Sequence, residues 1–408
     1  MDFGFEAAGF RTRAAVEVDA VCCASLRANR PWPVLKRDVA SISAEELLAT
    51  ARLGRQEADL LIGGPPCQPF SKLGYWARGD TARLRDPRAQ TLSEYLRLVE
   101  GTLPRAFVLE NVEGFAFSTK SEALERFLEE VERINHRNDT QYKPLWKVIR
   151  AADYGVPQIR DRLFIVASRD AKEFHFPEPT HGDDEARATA RSIGFELEPY
   201  TTTWDALSDV RPGPGETLTV SGRWADLLPS IPEGSNYLFH TDRGNGLPLF
   251  GWRRRYWSFL LKLAKDKPSW TIPASPGPAN GPFHWENRRL SQRELCRLQT
   301  FPEDVRLVGS HTDMQRQIGN AVPSLVTEVL GLAIRKQFLE ERVPRRTLKL
   351  LRACVGEPPP AQEPADVPVK YLPLVGSDSP HPGTGRGRRA TLWAVEPASP
   401  VVMTRAAS

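Results

Sequence analysis

The chain is poor in the residues that anchor secreted, metal-bound or membrane proteins. Among its 408 residues are 5 cysteines and 3 methionines, and the cysteines lack the paired spacing typical of zinc sites or disulfide frameworks. No run of about 18 apolar residues occurs, so we expect no membrane span. The first residues carry neither a basic region nor an apolar secretory core, which predicts a cytoplasmic protein.

The composition is that of an ordinary globular protein. Hydrophobic residues make up 40% of the chain and charged residues 26%, and the length is sufficient for two domains with a sizeable core. The formal net charge of +4 is too small to indicate a partner, so the local distribution of charge matters more.

Short apolar runs alternate with helical patterns over the first 170 residues, and this alternation is typical of an α/β fold with a doubly wound, mostly parallel sheet. The predicted strands are 14–18, 59–62, 106–109, 146–150 and 163–168. The predicted helices are 3–8, 20–29, 44–56, 92–102 and 122–134. We therefore predict that residues 1–172 form an α/β domain.

The pattern changes three times in the rest of the chain. Prolines, glycines and aromatic residues dominate residues 173–282, which indicates a smaller, irregular second domain inserted into the first. Regular structure returns over 283–342, with helices predicted after Ser291 and from about 324 to 341. Residues 343–408 are first Pro-rich and then Gly/Arg-rich, and this composition predicts a disordered tail.

The most informative stretch is GGPPCQPFS at residues 63–71. Its prolines make a stiff loop that cannot continue the preceding strand. Cys67 therefore follows a strand of a parallel sheet, and open α/β sheets carry their chemistry at the carboxyl ends of such strands. Taken alone, the stretch fits a buried structural cysteine about as well.

Two further groups of polar residues follow predicted strands or precede them. Glu110 comes directly after strand 106–109, at the same sheet edge as Cys67, although a capping or ion-pairing glutamate would fit that position too. Gln158, Arg160 and Arg162 alternate along the chain and share one face of a strand. Three polar side chains on one face predict a cleft or a solvated edge and not a core.

A thiol, a carboxylic acid and arginines together suit one chemical problem. Carbon 5 of cytosine is a poor nucleophile. A thiolate that adds to carbon 6, with an acid at ring nitrogen 3, makes carbon 5 reactive towards an electrophilic methyl group. Nearby arginines would hold the base and a phosphate by charge-assisted hydrogen bonds.

Five motifs in this order resemble those of the DNA (cytosine-5) methyltransferase family. They are GPPCQPFS (64–71), ENV (110–112), QIRDR (158–162), RLSQRE with LQTFP (289–302) and QIGNAVP (317–323). The resemblance covers roughly residues 1–340. It implies the fold of methyltransferases that use S-adenosylmethionine, with a target-recognition domain, and methylation of double-stranded DNA within a restriction–modification system. A cognate restriction endonuclease acting on the same DNA site would be a partner of that system.

The resemblance also assigns roles to individual residues. Cys67 would be the nucleophile and Glu110 the acid, and Arg160 and Arg162 would hold the target base and its backbone. The residues implied to bind S-adenosylmethionine are Glu17, Val18, Asp38, Val39, Gly64, Pro66, Leu92, Asn320 and Val322. Among them, Glu17 would meet the ribose hydroxyls, and Leu92 would pack on the adenine.

The chain departs from the family at its front. The family begins with a strand and a Gly-rich turn that contact the methionine part of the cofactor, and the sequence here opens on what looks like the following helix. We expect that Met1 is an internal methionine of a longer reading frame. The chain as written is therefore expected to bind the cofactor weakly.

DNA contacts are predicted in two places. Gln68 and Ser71 lie in the loop of Cys67, and the cluster Arg253, Arg254 and Arg255 lies in the second domain. Further basic residues there are Arg243, Lys262, Lys265 and Lys267. The aromatic residues among them, Tyr256, Trp257 and Phe259, are expected to form the core of that domain.

Two alternatives remain open at this point. One is an RNA cytosine methyltransferase on the same fold, against which the long inserted segment argues, because reading a DNA sequence needs such a domain. The other is an inactive or partner-dependent DNA-binding fragment. The complete set of Cys67, Glu110 and the two arginines favours a working enzyme.

Overall fold

The computed structural model describes residues 1–65, 90–117, 122–252, 255–342 and 348–377. The strands in these ranges are β1 (Ala15–Glu17), β2 (Val34–Lys36), β3 (Leu60–Gly63), β4 (Ala106–Asn111), β5 (Leu145–Arg150), β6 (Asp161–Ser168), β7 (His181–Gly182) and β8 (Glu198–Pro199). The α-helices are α1 (Asp2–Ala7), α2 (Ala20–Asn29), α3 (Ala44–Ala51), α4 (Gln90–Thr102), α5 (Gly114–Phe117), α6 (Glu122–Asn138), α7 (Asp184–Ser192), α8 (Thr203–Leu207), α9 (Gln292–Leu298), α10 (His311–Asn320) and α11 (Ser324–Gln337).

Local signals set the ends of several helices. Ser43 accepts a hydrogen bond from the backbone of Glu46 at the start of α3, and Ser291 with Glu294 forms a full capping box at the start of α9. Helix α3 ends five residues earlier than predicted, because Arg52 adopts a left-handed conformation with φ 55°.

The sheet is mixed. Strands β3 and β4 are parallel, while β6 lies between β4 and β5 and runs antiparallel to both. The α/β class is confirmed, and the antiparallel placement of β6 has a simple cause. Only ten residues, 151–160, connect β5 to β6, which is too short for the crossover that a parallel neighbour would need.

Strand β1 pairs in parallel with β2. The sequence pattern did not predict β2, because that strand has only three residues and comes directly after Pro33. Within the described residues, this pair and the four-stranded sheet β3-β4-β6-β5 are separate hydrogen-bonded units.

The four-stranded sheet is covered on both faces. Alternate residues of β4 enter two different clusters: Val108 packs with Phe5 and Leu330 on one side, and Phe107 packs with Val99 on the other. Helix α1 packs closely on α11 at Gly4. A Cβ atom on Gly4 would lie 2.0 Å from the carbonyl oxygen of Ser324, so only glycine fits there.

The described part of residues 173–282 contains short helices and two-residue strands, and part of this region has a core of its own. The buried residues of that core include Leu227, Leu228, Ile231, Tyr237, Phe250 and Leu260. A second cluster joins Leu263 and Ile272 to Leu295 of α9, so packing continues across the predicted boundary at residue 282. The boundary itself stays a prediction.

The prediction of a disordered tail over 343–408 is wrong for residues 348–377. The backbone of Lys349 and Leu350 donates to the Glu328 carboxylate of α11. Further along, the Tyr371 ring stacks on Trp224 with centroids 5.6 Å apart. The composition of this segment, with few apolar residues, predicted disorder. Residues 348–377 are nevertheless bound to the surface of the preceding domains, and composition alone does not show such contacts.

One stretch, His311–Gln337, has the length and composition of a membrane span. It is divided into α10 and α11 by residues 321–323, and 67% of its most apolar window is buried in the protein. We therefore interpret it as core helices, in line with the expectation from sequence.

The packing of Tyr371 predicts the effect of removing it. Tyr371 is 3% exposed, and its hydroxyl donates to the carbonyl of Arg223. Tyr371→Ala should lower the free energy of unfolding by about 3 kcal/mol, as for other buried aromatic residues. Tyr371→Phe keeps the stacked ring and should cost only about 1 kcal/mol. Chemical denaturation of both variants tests this; an unchanged Tyr371→Ala would mean that the tail does not pack.

Candidate active site

The Glu110 carboxyl lies at the carboxyl end of β4. The three residues before it, Phe107, Val108 and Leu109, are completely buried, and β4 is hydrogen-bonded to β3 on one side and β6 on the other. A side chain at the end of such a strand is held on a rigid support. The side chain of Glu110 itself is 13% exposed.

Arg162 on β6 pairs with this carboxyl. Its Nε lies 2.9 Å from Oε1 of Glu110, and its Nη1 donates to the Asp161 carbonyl. Both side chains are largely withdrawn from water, so the ion pair is screened less than a surface pair.

Burial raises the pKa of Glu110 above its usual value, although the positive charges of Arg162 and Arg160 oppose the shift. Burial disfavours the charged carboxylate more than the arginines favour it. The protonated acid is therefore more available near neutral pH than for a glutamate in water, which is the property a general acid needs.

The loop that contains Cys67 begins beside the same carboxyl. A Cβ atom on Gly64 would lie 3.3 Å from Oε2 of Glu110 and 3.3 Å from Cε of Met1. Gly64, the residue after β3, is thus adjacent to the Glu110 carboxyl. Cys67 follows three residues later and lies outside the described residues, as do Pro66, Gln68 and Ser71.

Tyr95 of α4 fixes β3 against β4. Its hydroxyl lies 3.2 Å from the Leu61 carbonyl and 3.0 Å from the Val108 carbonyl. A Cβ atom on Gly63 would lie 2.4 Å from the Tyr95 ring, so glycine is needed there for close packing. The sequence pattern did not predict this pair, although a glycine directly after the predicted strand 59–62 was an available signal.

The face that carries Gln158 and Arg160 is buried, which corrects the expectation of a cleft or solvated edge. The amide of Gln158 donates to the Leu298 carbonyl and accepts from the backbone of Ile272. Arg160 donates to the carbonyls of Ile272 and Gly319. Irregular backbone packed against β6 needs hydrogen-bond partners, and these two side chains supply them. Arg160 therefore joins parts of the chain, whereas Arg162 reaches Glu110.

Most residues implied to bind a cofactor follow the carboxyl ends of strands. Glu17 ends β1 and accepts a hydrogen bond from the Asp19 backbone, and Val18 is 64% exposed. After β2, Asp38 caps a 3₁₀ turn and Val39 packs on the cluster around Ile42.

The remaining three are on helices or beside them. Leu92 of α4 is partly buried against the cluster of Tyr95. Asn320 is exposed at the end of α10. Val322 is buried in the core with Phe5, so its side chain already has apolar neighbours.

The basic residues of the second domain separate into two groups. Arg255 is exposed, whereas Arg253 and Arg254 lie outside the described residues. Lys262 and Lys265 are buried, which contradicts a role in contacting phosphate. Lys265 instead pairs with Glu233 at 2.7 Å, and burial lowers the pKa of Lys262 to about 8.

The aromatic residues there separate as well. Phe259 belongs to the core of the domain, as expected. Tyr256 is 73% exposed and Trp257 is 53% exposed, so the expectation that they are core residues is wrong. The pattern of residue types alone gave no indication of which aromatic side chains would face solvent.

The geometry predicts how Glu110 responds to loss of its partner. Arg162→Gln removes a charge that lowers the pKa of Glu110, so the pKa should rise further above its usual value. Titration of the Glu110 carboxyl by carbon-13 NMR measures the shift. The control is Arg150→Gln, because Arg150 pairs with Asp161 and not with Glu110. An unchanged or lower pKa in Arg162→Gln would contradict the ion pair.

Comparisons with known proteins identify the family of the chain. A model of the family of C-5 cytosine-specific DNA methylases matches residues 1–336. The chain is 40% identical over 345 residues to the type II methyltransferase M.SacI of Streptomyces achromogenes, covering 81% of this chain and 86% of that protein. It is 32% identical over 347 residues to M1.HphI of Haemophilus parahaemolyticus, covering 83% and 84%.

The fold is similar to that of solved structures. A prophage-encoded protein of E. coli matches with a TM-score of 0.56 and 23% identity over 83% of this chain and 96% of that one. The S. pombe Dnmt2 methyltransferase matches with a TM-score of 0.52 and 16% identity over 83% and 95%.

Proposed function

This chain belongs to the family of C-5 cytosine-specific DNA methylases, and we propose that it methylates cytosine in double-stranded DNA through Cys67 and Glu110. Methyl transfer to carbon 5 of cytosine in DNA is the activity of the family. The roles of the individual residues, the methyl donor and the biological setting are our proposals.

One observation carries the proposal. A buried carboxyl with a raised pKa, held by Arg162, lies beside Gly64, where the loop of Cys67 begins. The general acid and the start of the nucleophile's loop thus meet at the carboxyl ends of neighbouring parallel strands, β3 and β4.

The proposed steps use these groups in turn. The Cys67 thiolate forms a bond to carbon 6 of the extruded cytosine, the electrons of the 5,6 double bond shift into the ring, and Glu110 protonates ring nitrogen 3. Carbon 5 then forms a bond to the methyl group, whose former bond breaks with its electron pair staying on the donor, and ring nitrogen 3 returns its proton to the Glu110 carboxylate. A water molecule takes the proton from carbon 5, the electrons of that bond re-form the 5,6 double bond, and the bond from carbon 6 to sulfur breaks with its electrons returning to Cys67 as thiolate. Arg162 keeps the Glu110 carboxyl in place throughout.

The methyl donor is S-adenosylmethionine in this proposal, and it would supply an electrophilic methyl group on a sulfonium sulfur. Three features of the described residues fit such a group. Glu17 offers a carboxylate at the end of β1 for ribose hydroxyls, and the exposed Val18 beside it offers apolar surface for an adenine. Gly64, with no side chain, allows close approach between the donor and Glu110.

We further propose a restriction–modification setting in the cytoplasm, with a restriction endonuclease acting on the same site as partner. The similarity to type II methyltransferases supports this. The second domain would read the DNA sequence. Comparing duplex DNA with transfer RNA in a methylation assay tests the choice of substrate, since methylation of transfer RNA alone would favour the RNA alternative.

The thiol can be tested directly. Cys67→Ser should lower the rate of methyl transfer by roughly 1,000-fold or more, because loss of a nucleophile removes the covalent route. Glu110→Gln should lower the rate by about 100- to 10,000-fold, the usual contribution of a general acid. The exposed Cys354 provides a matched control, and Cys354→Ser should leave the rate unchanged.

A covalent trap gives the same test a second readout. DNA that contains 5-fluorocytosine should form a stable adduct with the protein, because fluorine at carbon 5 cannot leave as a proton does. The adduct is seen as a mass increase in denaturing mass spectrometry. Normal turnover by Cys67→Ser, or an active enzyme that forms no adduct, would refute the proposed chemistry.

A further inference from the structure

The second domain exposes a pair of tryptophans that its core does not use. Trp257 is 53% exposed and Trp270 is 37% exposed. Their ring centroids are 5.5 Å apart, with an angle of 77° between the planes, the edge-to-face arrangement favoured by aromatic pairs. Two indoles left in contact with water and with each other form an apolar patch, and such a patch on a globular protein often marks a binding surface.

The neighbours of Trp270 are bonded to the segment that leads into β6, the strand that carries Arg162. The backbone of Ser269 on one side of Trp270 pairs with Pro157 and Ile159. The hydroxyl of Thr271 on the other side donates to the Ile159 carbonyl at 2.8 Å. Ile159 lies three residues before Arg162, and Arg160 between them donates to the carbonyl of Ile272, so the segment that carries Trp270 is bonded to the chain just before Arg162.

Trp257 is held by a buried side chain. Its carbonyl accepts a hydrogen bond of 2.8 Å from the amide of Asn236. Asn236 is buried and also caps the 3₁₀ turn Tyr237–His240. Both tryptophans are therefore mounted on ordered backbone, which limits the entropy lost when a ligand binds them.

The charges near the pair in sequence favour an anionic partner. Arg255 and Lys267 are exposed on the chain segments that carry the two tryptophans, with Asp266 as the exposed acidic neighbour of Lys267. Aromatic rings flanked by basic side chains are the usual means of binding single-stranded or distorted nucleic acid, since the rings stack on bases and the charges meet phosphate.

We propose that Trp257 and Trp270 contact the bases of the DNA substrate beside the cytosine that enters the active site. This inference rests on the proposed function. Extruding a base costs a few kcal/mol, and stacking of a neighbouring base on an indole offsets part of that cost. A second copy of the chain is a poorer occupant, because two indoles expose a few hundred Å² at most and a stable interface buries about 800 Å² on each partner.

Alanine variants test the contact. Trp257→Ala and Trp270→Ala should each weaken binding of a fluorescent duplex that carries the recognised site about 10-fold, within the range measured for base–aromatic stacking. The dependence of affinity on salt should keep its slope, because no charge is removed. Trp257→Phe, which keeps a ring, should recover most of the affinity.

A matched control separates stacking from general loss of an exposed indole. Trp146 on β5 is 41% exposed, and Trp146→Ala should bind DNA like the unchanged protein. Thermal unfolding of all variants shows whether each is folded, and sedimentation shows whether the tryptophans mediate self-association.

Each result has a defined meaning. Unchanged DNA affinity in both alanine variants, while the unchanged protein binds DNA, would overturn the inference and leave the proposed function intact. Self-association that is lost in the alanine variants would replace DNA by a second copy as occupant. If the unchanged protein neither binds nor methylates DNA, the proposed function fails, and the inference fails with it.

Discussion

The carboxyl of Glu110 is held at the end of the buried strand β4 and pairs with Arg162 of β6, the neighbouring strand in the sheet. Removing a carboxylate from water is costly, and that cost is tolerated only where a partner compensates for it. Here the compensation is partial, because the pKa of Glu110 remains raised although Arg162 opposes the shift. The same incomplete compensation that is unfavourable for stability keeps the pKa of Glu110 above that of a glutamate in water, which favours its protonated form.

A second requirement is that the irregular segments around Ile272 and Gly319 stay bound to the chain next to β6. Arg160 donates to carbonyls of both Ile272 and Gly319. A Cβ atom on Gly319 would lie 2.4 Å from the backbone of Ala274, so these segments touch without room for a side chain. Arg160 and Arg162 have different partners although they are only two residues apart. Arg160 joins segments of the chain, and Arg162 holds the Glu110 carboxyl.

Local sequence signals predicted much of the fold, and burial explains the rest. The helix starts at Ser43 and Ser291 were predictable because each depends on hydrogen bonds within four residues. The position of Glu110 at the sheet edge was predictable because it comes directly after an apolar run. The burial of Arg160, Lys262 and Lys265 could not be predicted, because it depends on segments that are distant in sequence.

The same limit applied to the residues after 347 and to the tryptophans. Composition favours disorder when a segment lacks apolar surface of its own, but Tyr371 is buried by a surface formed about 150 residues earlier, at Trp224. Whether Trp257 faces the core or solvent likewise depends on how the whole domain closes, which no short pattern encodes.

The two halves of the site are held by different forces. The half of the candidate site that carries Glu110 lies on strands joined by backbone hydrogen bonds, with Tyr95 fixing β3 against β4. The half that carries Glu17 is the separate β1–β2 pair, and the described residues attach it through side chains. Asp19 pairs with Arg316 at 2.9 Å, and Arg97 donates to the carbonyls of Val39 and Ile42.

The side chains of Arg316 and Asp19 are 33% and 30% exposed, so solvent still screens this ion pair, and such pairs contribute about 1 kcal/mol. A ladder of backbone hydrogen bonds, by contrast, is cooperative with its whole sheet. The described residues also pack β1 and β2 against the rest of the domain, because Val16 and Leu35 lie in one cluster with Leu61 and Leu98. The Glu110 carboxyl is therefore fixed by a backbone ladder, whereas the position of Glu17 depends on contacts between side chains.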